Sequence, residues 1–336
     1  MKERGHPMSI HKMSLLLFVS LFITAQSAFA HHPGYTPTGG GVVEDGENIS
    51  SVSMLNSPTA TTLGKNNFAS GFVFDFVNYD QIPAREAHEL HEDGREIHGL
   101  KHSEFYNMHA GFGVLEDLDL FLIAPIVSRS TNQVEDEDAI GRDERSTGFG
   151  DMRLVGKYRF WKKGVEAAVI AGVKFPTGKS SDKDKSGAKF DPEVQPGSGS
   201  WDGEFGIALS RSFRNRFSAS TSFEYILRTE GGQGFDGGDI FRYSIAASAS
   251  LRPYGQYPNA NLHVELNNEW ARRDHERGIK TFDSGGTTVS VTPGMSFVLN
   301  EHVSVFWAMP VPIYQNLGGE HEEVEYQILT GINIVV

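Results

Sequence analysis

The sequence of 336 residues contains no cysteine and carries a formal net charge of −13 at pH 7. The missing cysteines exclude a lipoprotein anchor, a disulfide framework and any thiolate metal or catalytic site. The acidic balance argues against nucleic acid as a partner, because phosphate binding needs clustered Lys and Arg. The length would allow two ordinary domains, but no linker divides the chain, so we expect one large domain.

The first thirty residues are typical of an export signal. Basic residues precede an apolar run from Leu15 to Ile23, and Ala28-Phe29-Ala30 forms a small-residue cleavage site. The apolar run is about half of the ~20 residues that a membrane-spanning helix needs, which favours a cleaved signal over an uncleaved anchor. We therefore predict a signal peptide at residues 1–30.

The segment that follows, residues 31–67, is rich in Gly, Thr, Ser and Pro and shows little periodicity. Such a composition predicts neither a helix nor a strand. We expect this segment to be a periplasmic arm or a partial plug of the lumen.

Alternation of apolar and polar residues predicts about twelve strands between Phe68 and Val336. In the clearest segment, residues 152–160, apolar residues alternate with Arg153 and Arg159. A period of two is that of a β-strand and not that of a helix. Each predicted strand therefore has one apolar face and one polar or charged face.

The lengths of the connections decide between a soluble sandwich and a membrane barrel. Short turns are predicted near residues 115–117, 161–164, 214–216, 253–259 and 300–302, and long polar loops at about 80–102, 130–148, 176–200, 230–239, 272–286 and 315–323. Bacterial outer-membrane barrels have short periplasmic turns on one rim and long loops on the other. We therefore predict an all-β protein, in which residues 68–336 form a single closed antiparallel transmembrane β-barrel of about 12 strands with both termini in the periplasm.

In such a barrel the apolar faces contact outer-membrane lipid, so the polar faces line the lumen. The predicted lumen-lining residues are Asp75, His109, Arg153, Lys157, Arg159, Glu166, Lys174, Asp202, Glu204, Glu224, Arg228, Arg242, Arg252, Glu265 and Glu269. A barrel of ~12 strands lies between filled eight-stranded barrels and open sixteen-stranded porins. These charges therefore either line a conducting path for small solutes or pair across strands and fill the lumen.

The eleventh predicted strand has an unusual lumen side, formed by the apolar residues Phe306, Ala308, Pro310 and Pro312. Proline cannot donate a ladder hydrogen bond, so the two prolines predict a kink or a bulge. A lateral exit for an apolar solute is a further hypothesis, against the simpler interpretation that the prolines only mark a bulge.

Two loops contain residues that bind metals in other proteins. The first long loop holds His88, His91, His98 and His102, whose imidazoles could bind a transition metal. A second loop places Asp182, Asp184, Ser186 and Glu193 at positions of the calcium-loop pattern, although strands and not helices flank it. In both loops a solvated polar surface is the alternative, and no other cofactor is expected.

An enzyme would need a nucleophile beside a base, and His302 with Ser304 is the nearest such pair. The pair lies at the short-turn end of a strand and has no recognisable third member. We therefore do not expect catalysis.

Three segments resemble a known family: GFGDMRLVGKYRF (148–160), GVKFPTGKS (172–180) and QPGSGSWDGEFGIALSRSF (195–213). They are similar to the outer-membrane transporters named for the MetA-pathway of phenol degradation. The resemblance implies a barrel porin or transporter, tied in some members to the uptake of hydrophobic or aromatic compounds. The expected function is therefore a channel passing small solutes. The alternative is a sealed structural or interaction barrel that binds cations through its acidic, His-containing loops.

Overall fold

The computed structural model describes residues 44–45, 48–49, 55–80, 99–132, 143–281, 284–318 and 323–336. The predicted signal peptide and parts of the predicted long loops lie outside these ranges. Within them, no helix is long and apolar enough to span a membrane.

Twelve antiparallel strands form one closed sheet in the described part of the chain. In chain order they are β1 (Phe68–Tyr79), β2 (Leu100–Leu115), β3 (Leu118–Asn132), β4 (Asp143–Phe149 and Met152–Lys163), β5 (Val165–Phe175), β6 (Asp202–Phe213), β7 (Phe217–Leu227), β8 (Ile240–Ser250), β9 (Asn259–Ala271), β10 (Gly286–Val298), β11 (Val303–Ala308 and Val311–Leu317) and β12 (Val324–Val335). Each strand pairs with its neighbours in the sequence, and β12 pairs with β1. The predicted fold class and strand number are confirmed.

The strands turn their apolar side chains outward. Phe205 and Leu262 are 57% and 54% exposed, whereas their neighbours Glu204 and Asn261 are 5% and 0% exposed. An apolar surface of this extent is typical of contact with lipid and not with water. The apolar faces predicted from the alternation are thus the outer surface of the barrel.

The connections follow the predicted alternation of short and long. The ends of the barrel meet on the short-turn side, where Phe68 N donates to Val336 O at 2.7 Å and Val336 N donates to Phe68 O at 2.8 Å. The loop predicted at 130–148 is shorter than expected, because β3 continues to Asn132 and β4 begins at Asp143. Pairing with β3 extends these two strands beyond the apolar run that was visible in the sequence.

Replacing Val264, an outward residue in the middle of β9, by Arg should destabilise the barrel in a membrane. Val264 is 52% exposed, and a charge on the lipid face near the bilayer centre costs about 2–4 kcal/mol. The measurement is the free energy of unfolding in denaturant with the protein folded into phospholipid vesicles. The matched control is Ile279→Arg, because Ile279 is 74% exposed in a loop between β9 and β10. Equal losses in the two variants would contradict the placement of the lipid face.

Candidate functional site

A stretch of chain before β1 runs inside the barrel, and we call residues 55–64 the inner segment. All of its residues are buried except Asn56, which is half-buried. Leu63 packs with Phe121 of β3 and Ile170 of β5 in an apolar cluster. The inner segment therefore fills part of the lumen.

Two buried carboxylates hold the inner segment. Glu265 of β9 accepts hydrogen bonds from Leu55 N and Ser57 Oγ, each at 2.5 Å. Asp119 of β3 accepts from Leu63 N at distances of 3.0 and 3.1 Å to its two oxygens. Backbone N–H groups outside the sheet need such partners when they are buried. Carboxylates on opposite parts of the wall thus fix both ends of the inner segment.

A cavity of about 140 Å³ lies towards the long loops, and we call it the outer cavity. Its apolar lining residues are Phe105, Ile123, Pro125, Val127, Pro192, Pro196, Ile226, Phe235 and Ile240, and its charged ones are Arg129, Asp151, Arg153, Lys174, Glu193, Asp202, Glu204, Arg228, Arg242 and Asp274. A concave site that combines apolar walls with placed polar groups is typical of small-molecule binding. The outer cavity is therefore the candidate site of this barrel.

An ion cluster anchors the loop between β5 and β6 at the edge of the outer cavity. Lys174 Nζ lies 2.5 Å from Asp202 Oδ2 and 3.5 Å from Asp151 Oδ2. Asp151 Oδ1 accepts a hydrogen bond from Gly178 N at 2.9 Å. The loop crosses itself here so closely that a Cβ on Gly197 would lie 2.6 Å from the backbone of Gly178. The motifs that resemble the transporter family therefore hold this loop in place.

Arg129 of β3 holds the same loop from the other side. Its buried guanidinium donates to the backbone oxygens of Glu193 at 2.7 Å and Gln195 at 2.5 Å, and it lies 5.7 Å from the ring centre of Phe105. Sequence reasoning missed both Arg129 and Asp119. Arg129 lies directly before the loop predicted at about 130–148, and Asp119 follows a short turn, where the alternation has just begun.

Several predicted lumen residues form cross-strand ion pairs in the wall. Arg153 of β4 pairs with Glu204 of β6, and Arg242 Nε of β8 lies 2.5 Å from Glu269 Oε2 of β9. Glu224 of β7 is buried and is the strand partner of Arg242. Opposite charges at these distances reduce the cost of removing each charge from water.

A second cavity of about 100 Å³, which we call the side cavity, lies beside the inner segment. Its lining includes Asn56 of the inner segment, Arg242 of the charged wall, and Pro310 and Pro312 of β11. Arg242 lines the outer cavity as well. The side cavity thus extends from the charged wall to the interruption of β11.

The barrel wall is weak next to the side cavity. Residues Val303–Ala308 pair with β12, but Val311–Leu317 pair only with β10 in the described part of the sheet. Two contacts bridge the gap in the described chain. Gln315 Nε2 donates to Val324 O and Val324 N donates to Gln315 Oε1, each at 2.9 Å, and Gln327 N donates to Pro310 O at 3.0 Å. The kink or bulge predicted from the two prolines is therefore present as an interruption of the ladder with β12, and the register with β10 also shifts between Val289 and Ser290.

Three other predicted lumen residues are buried inside the barrel. Asp75 accepts a hydrogen bond from Gln327 Nε2 at 2.7 Å, and Lys157 Nζ lies 3.9 Å from Asp119 Oδ2. His109 of β2 is 7% exposed. None of the three lines the outer or the side cavity within the described residues.

The structure places three further predicted lumen residues, Arg159, Glu166 and Arg252, at the short-turn rim. Arg159 lies 2.8 Å from Asp117 and 3.5 Å from Glu166. Arg252 follows the end of β8, is exposed, and donates to the backbone oxygen of Pro258 at 3.0 Å. Arg252 is thus in the turn and not on the inner wall, because the strand ends two residues earlier than its alternation suggested.

The predicted transition-metal loop is largely outside the described residues, which exclude His88, His91 and His98. His102 lies in β2, where its Nε2 is 3.0 Å from an Arg145 nitrogen. The described residues contain no group of three or more His, Cys, Asp or Glu side chains placed to hold a metal ion.

The predicted calcium loop uses its oxygens for contacts within the protein. Asp182 accepts from Lys179 Nζ at 2.7 Å, Asp184 accepts from Ser186 Oγ at 2.7 Å, and the backbone oxygen of Glu193 binds Arg129. These contacts lie within the loop and between the loop and the barrel wall. Calcium binding by this loop stays a prediction.

Comparison with solved structures shows likeness over most of the barrel. An outer membrane channel from Pseudomonas putida F1 has a TM-score of 0.61 and 12% identity, with 88% of this chain and 100% of that chain covered. The CymD monoaromatic hydrocarbon channel has a TM-score of 0.40 and 12% identity, covering 81% of this chain and 88% of that one. The similarity to the channel from Pseudomonas putida F1 shows that the two chains share a fold. No curated protein sequence matches the chain.

A family model described as "Putative MetA-pathway of phenol degradation" matches residues 108–307. This range runs from β2 to β11 and includes all three motifs, so the resemblance seen in the sequence is confirmed. The protein belongs to the family of the "Putative MetA-pathway of phenol degradation".

Proposed function

We propose that the protein is an outer-membrane channel for small solutes with an apolar or aromatic body. The solute enters the outer cavity from the long-loop side and leaves sideways at the interruption of β11. The observation that carries this proposal is the side cavity, which reaches Pro310 and Pro312 where the sheet lacks its ladder. The long loops would face the outside of the cell, and both ends of the barrel would face the periplasm.

A straight path through the lumen is obstructed in this arrangement. The inner segment is buried against β3, β5 and β9, and it lies between the side cavity and the short-turn rim. The inner segment therefore acts as a partial plug. Because residues 55–64 are fixed by hydrogen bonds and apolar packing, a solute meets less resistance at the weak part of the wall.

The two cavities share one lining residue, Arg242, whose charge is compensated. The pair of Arg242 with Glu269 neutralises the charge along a passage between the cavities. An apolar solute passing a paired charge displaces less bound water than one passing an isolated charge. The apolar residues Val77 and Val324 continue the lining towards the wall.

Weakening the anchor of the inner segment should open the lumen to ions. Glu265→Gln removes the charge that accepts the hydrogen bonds of Leu55 and Ser57, and hydrogen bonds to a charged group contribute about 1.5–3 kcal/mol. A loss of 1.4 kcal/mol corresponds to about a tenfold change in an equilibrium. We expect roughly tenfold more frequent openings in planar-bilayer recordings, and larger steps when residues 31–63 are deleted.

Glu301→Gln is the control for this prediction, since Glu301 is exposed at the short-turn rim and its side chain lies 3.5 Å from His302 of the same rim. Its conductance should equal that of the unchanged protein. Silence from the deletion variant, with barrel folding confirmed by heat-modifiable gel mobility, would refute the plug.

Closing the weak part of the wall should stop the passage of apolar solutes. The chain has no cysteine, so Gln315→Cys with Val324→Cys can be joined by a short bifunctional thiol reagent. We expect the uptake of radiolabelled naphthalene by cells carrying the joined variant to fall to the level of cells without the protein. Ion conductance through the lumen should stay unchanged.

The matched control joins Val305→Cys to Ile332→Cys, a pair already held by the ladder between β11 and β12. Joining these residues should not alter naphthalene uptake. Equal uptake before and after joining residues 315 and 324 would show that the solute takes another route.

A further inference from the structure

The basic residues of the outer cavity differ in how their charges are compensated. Arg153 pairs with Glu204, Lys174 pairs with Asp202 and Asp151, and Arg242 pairs with Glu269. Arg129 donates to two backbone oxygens of the loop between β5 and β6. Each of these four side chains is thus used to hold the protein together.

Arg228 is the exception in the outer cavity. Its backbone N donates to Asp239 Oδ1 at 3.1 Å, but its guanidinium makes no hydrogen bond or ion pair with any residue that the structure describes. The side chain is half-buried and lines the cavity. It also interacts electrostatically with Arg129, another positive charge. A half-buried guanidinium next to a like charge has all five of its donors available for a ligand.

The loop between β7 and β8 is shaped to receive this guanidinium. A Cβ on Gly237 would lie 2.1 Å from both Cζ and Nη2 of Arg228. Any larger residue at position 237 would therefore displace the guanidinium. The absence of a side chain at this position lets the flat face of Arg228 lie directly on the backbone.

Apolar side chains border the same cavity. Phe105 and Val127 come from β2 and β3, and Ile226, Phe235 and Ile240 come from the region around Arg228. The cavity volume of about 140 Å³ is close to the ~150 Å³ of an engineered apolar cavity that binds benzene. The space is thus of the size of one aromatic ring, next to a guanidinium that has no partner among the described residues.

We propose that Arg228 binds the carboxylate of a small aromatic acid whose ring packs against the apolar residues of the outer cavity. A guanidinium matches the planar geometry of a carboxylate and can donate two parallel hydrogen bonds to it. A single negative charge suits the site, because Asp202 and Glu204 in the same lining would repel a more highly charged anion. This inference deepens the proposed function and rests on it, since it assumes that solutes occupy this cavity.

The test compares benzoate with benzamide, which has the same ring and shape without the charge. Binding of each radiolabelled probe to the full mature chain, refolded in detergent at neutral pH, is measured by equilibrium dialysis. The unchanged protein should bind benzoate about tenfold tighter than benzamide. In Arg228→Gln and in Gly237→Ala this preference should fall to near parity. Arg252→Gln, which changes an exposed arginine at the short-turn rim, should keep the preference.

Equal binding of the two probes by the unchanged protein, or a preference for benzoate that survives Arg228→Gln, would overturn the assignment. Heat-modifiable gel mobility excludes misfolding of each variant. Naphthalene uptake, which does not depend on a carboxylate, separates the two proposals. If naphthalene uptake is normal but benzoate is not preferred, only the proposed carboxylate site is refuted. If benzoate is preferred but naphthalene is not taken up, the proposed channel is refuted and the carboxylate site stands.

Discussion

The whole structure depends on one constraint: no water is available inside a bilayer to satisfy backbone N–H and C=O groups. The sheet satisfies this constraint by closing into a barrel, with β12 paired to β1. Where a strand is interrupted, another group takes over the lost bonds. At the break in β4, Gly150 N donates to Pro125 O at 2.9 Å. At the break in β11, Gln327 N donates to Pro310 O, and beyond it the Gln315 side chain bonds both backbone groups of Val324. The contact at the break in β11 is the weaker of the two, because the side chain of Gln315 can rotate out of its hydrogen bonds, whereas paired backbone strands cannot.

Closure of the sheet also determines where the charged residues lie and what they bind. Since the outer surface is apolar, each charge must lie inside or at a rim, and most of the inner charges find partners within the wall. Glu265 and Asp119 differ, because they bind the backbone of the inner segment, and Asp119 does so in addition to its ion pair with Lys157. The lumen is thereby partly filled by the protein's own chain. A filled lumen with one weak point in the wall favours sideways release over passage along the barrel axis.

The sequence was sufficient to predict the barrel, because alternation is a local property that each strand displays by itself. Strand number, the polar inner face and the division into short turns and long loops all follow from it. For the inner segment the sequence left a periplasmic arm and a partial plug open, and its contacts could not be predicted, since its hydrogen bonds run to residues such as Glu265 more than 200 positions away. The same limit applies to Arg129, whose partners lie on a loop that has no periodicity. Arg252 was placed on the inner wall by continuing an alternation that the turn at Ser250 had already ended.

The family motifs acquire a physical meaning from this arrangement. Asp151, Lys174 and Asp202 lie within the three motifs, and together they clamp the loop that borders the outer cavity. A motif that builds the wall of a site can be shared by proteins with different solutes. Specificity then rests on residues outside the motifs, and Arg228 with Gly237 is such a pair. Because the other cations of the cavity are already bound within the protein, a change at this one arginine can alter the preferred solute without disturbing the barrel.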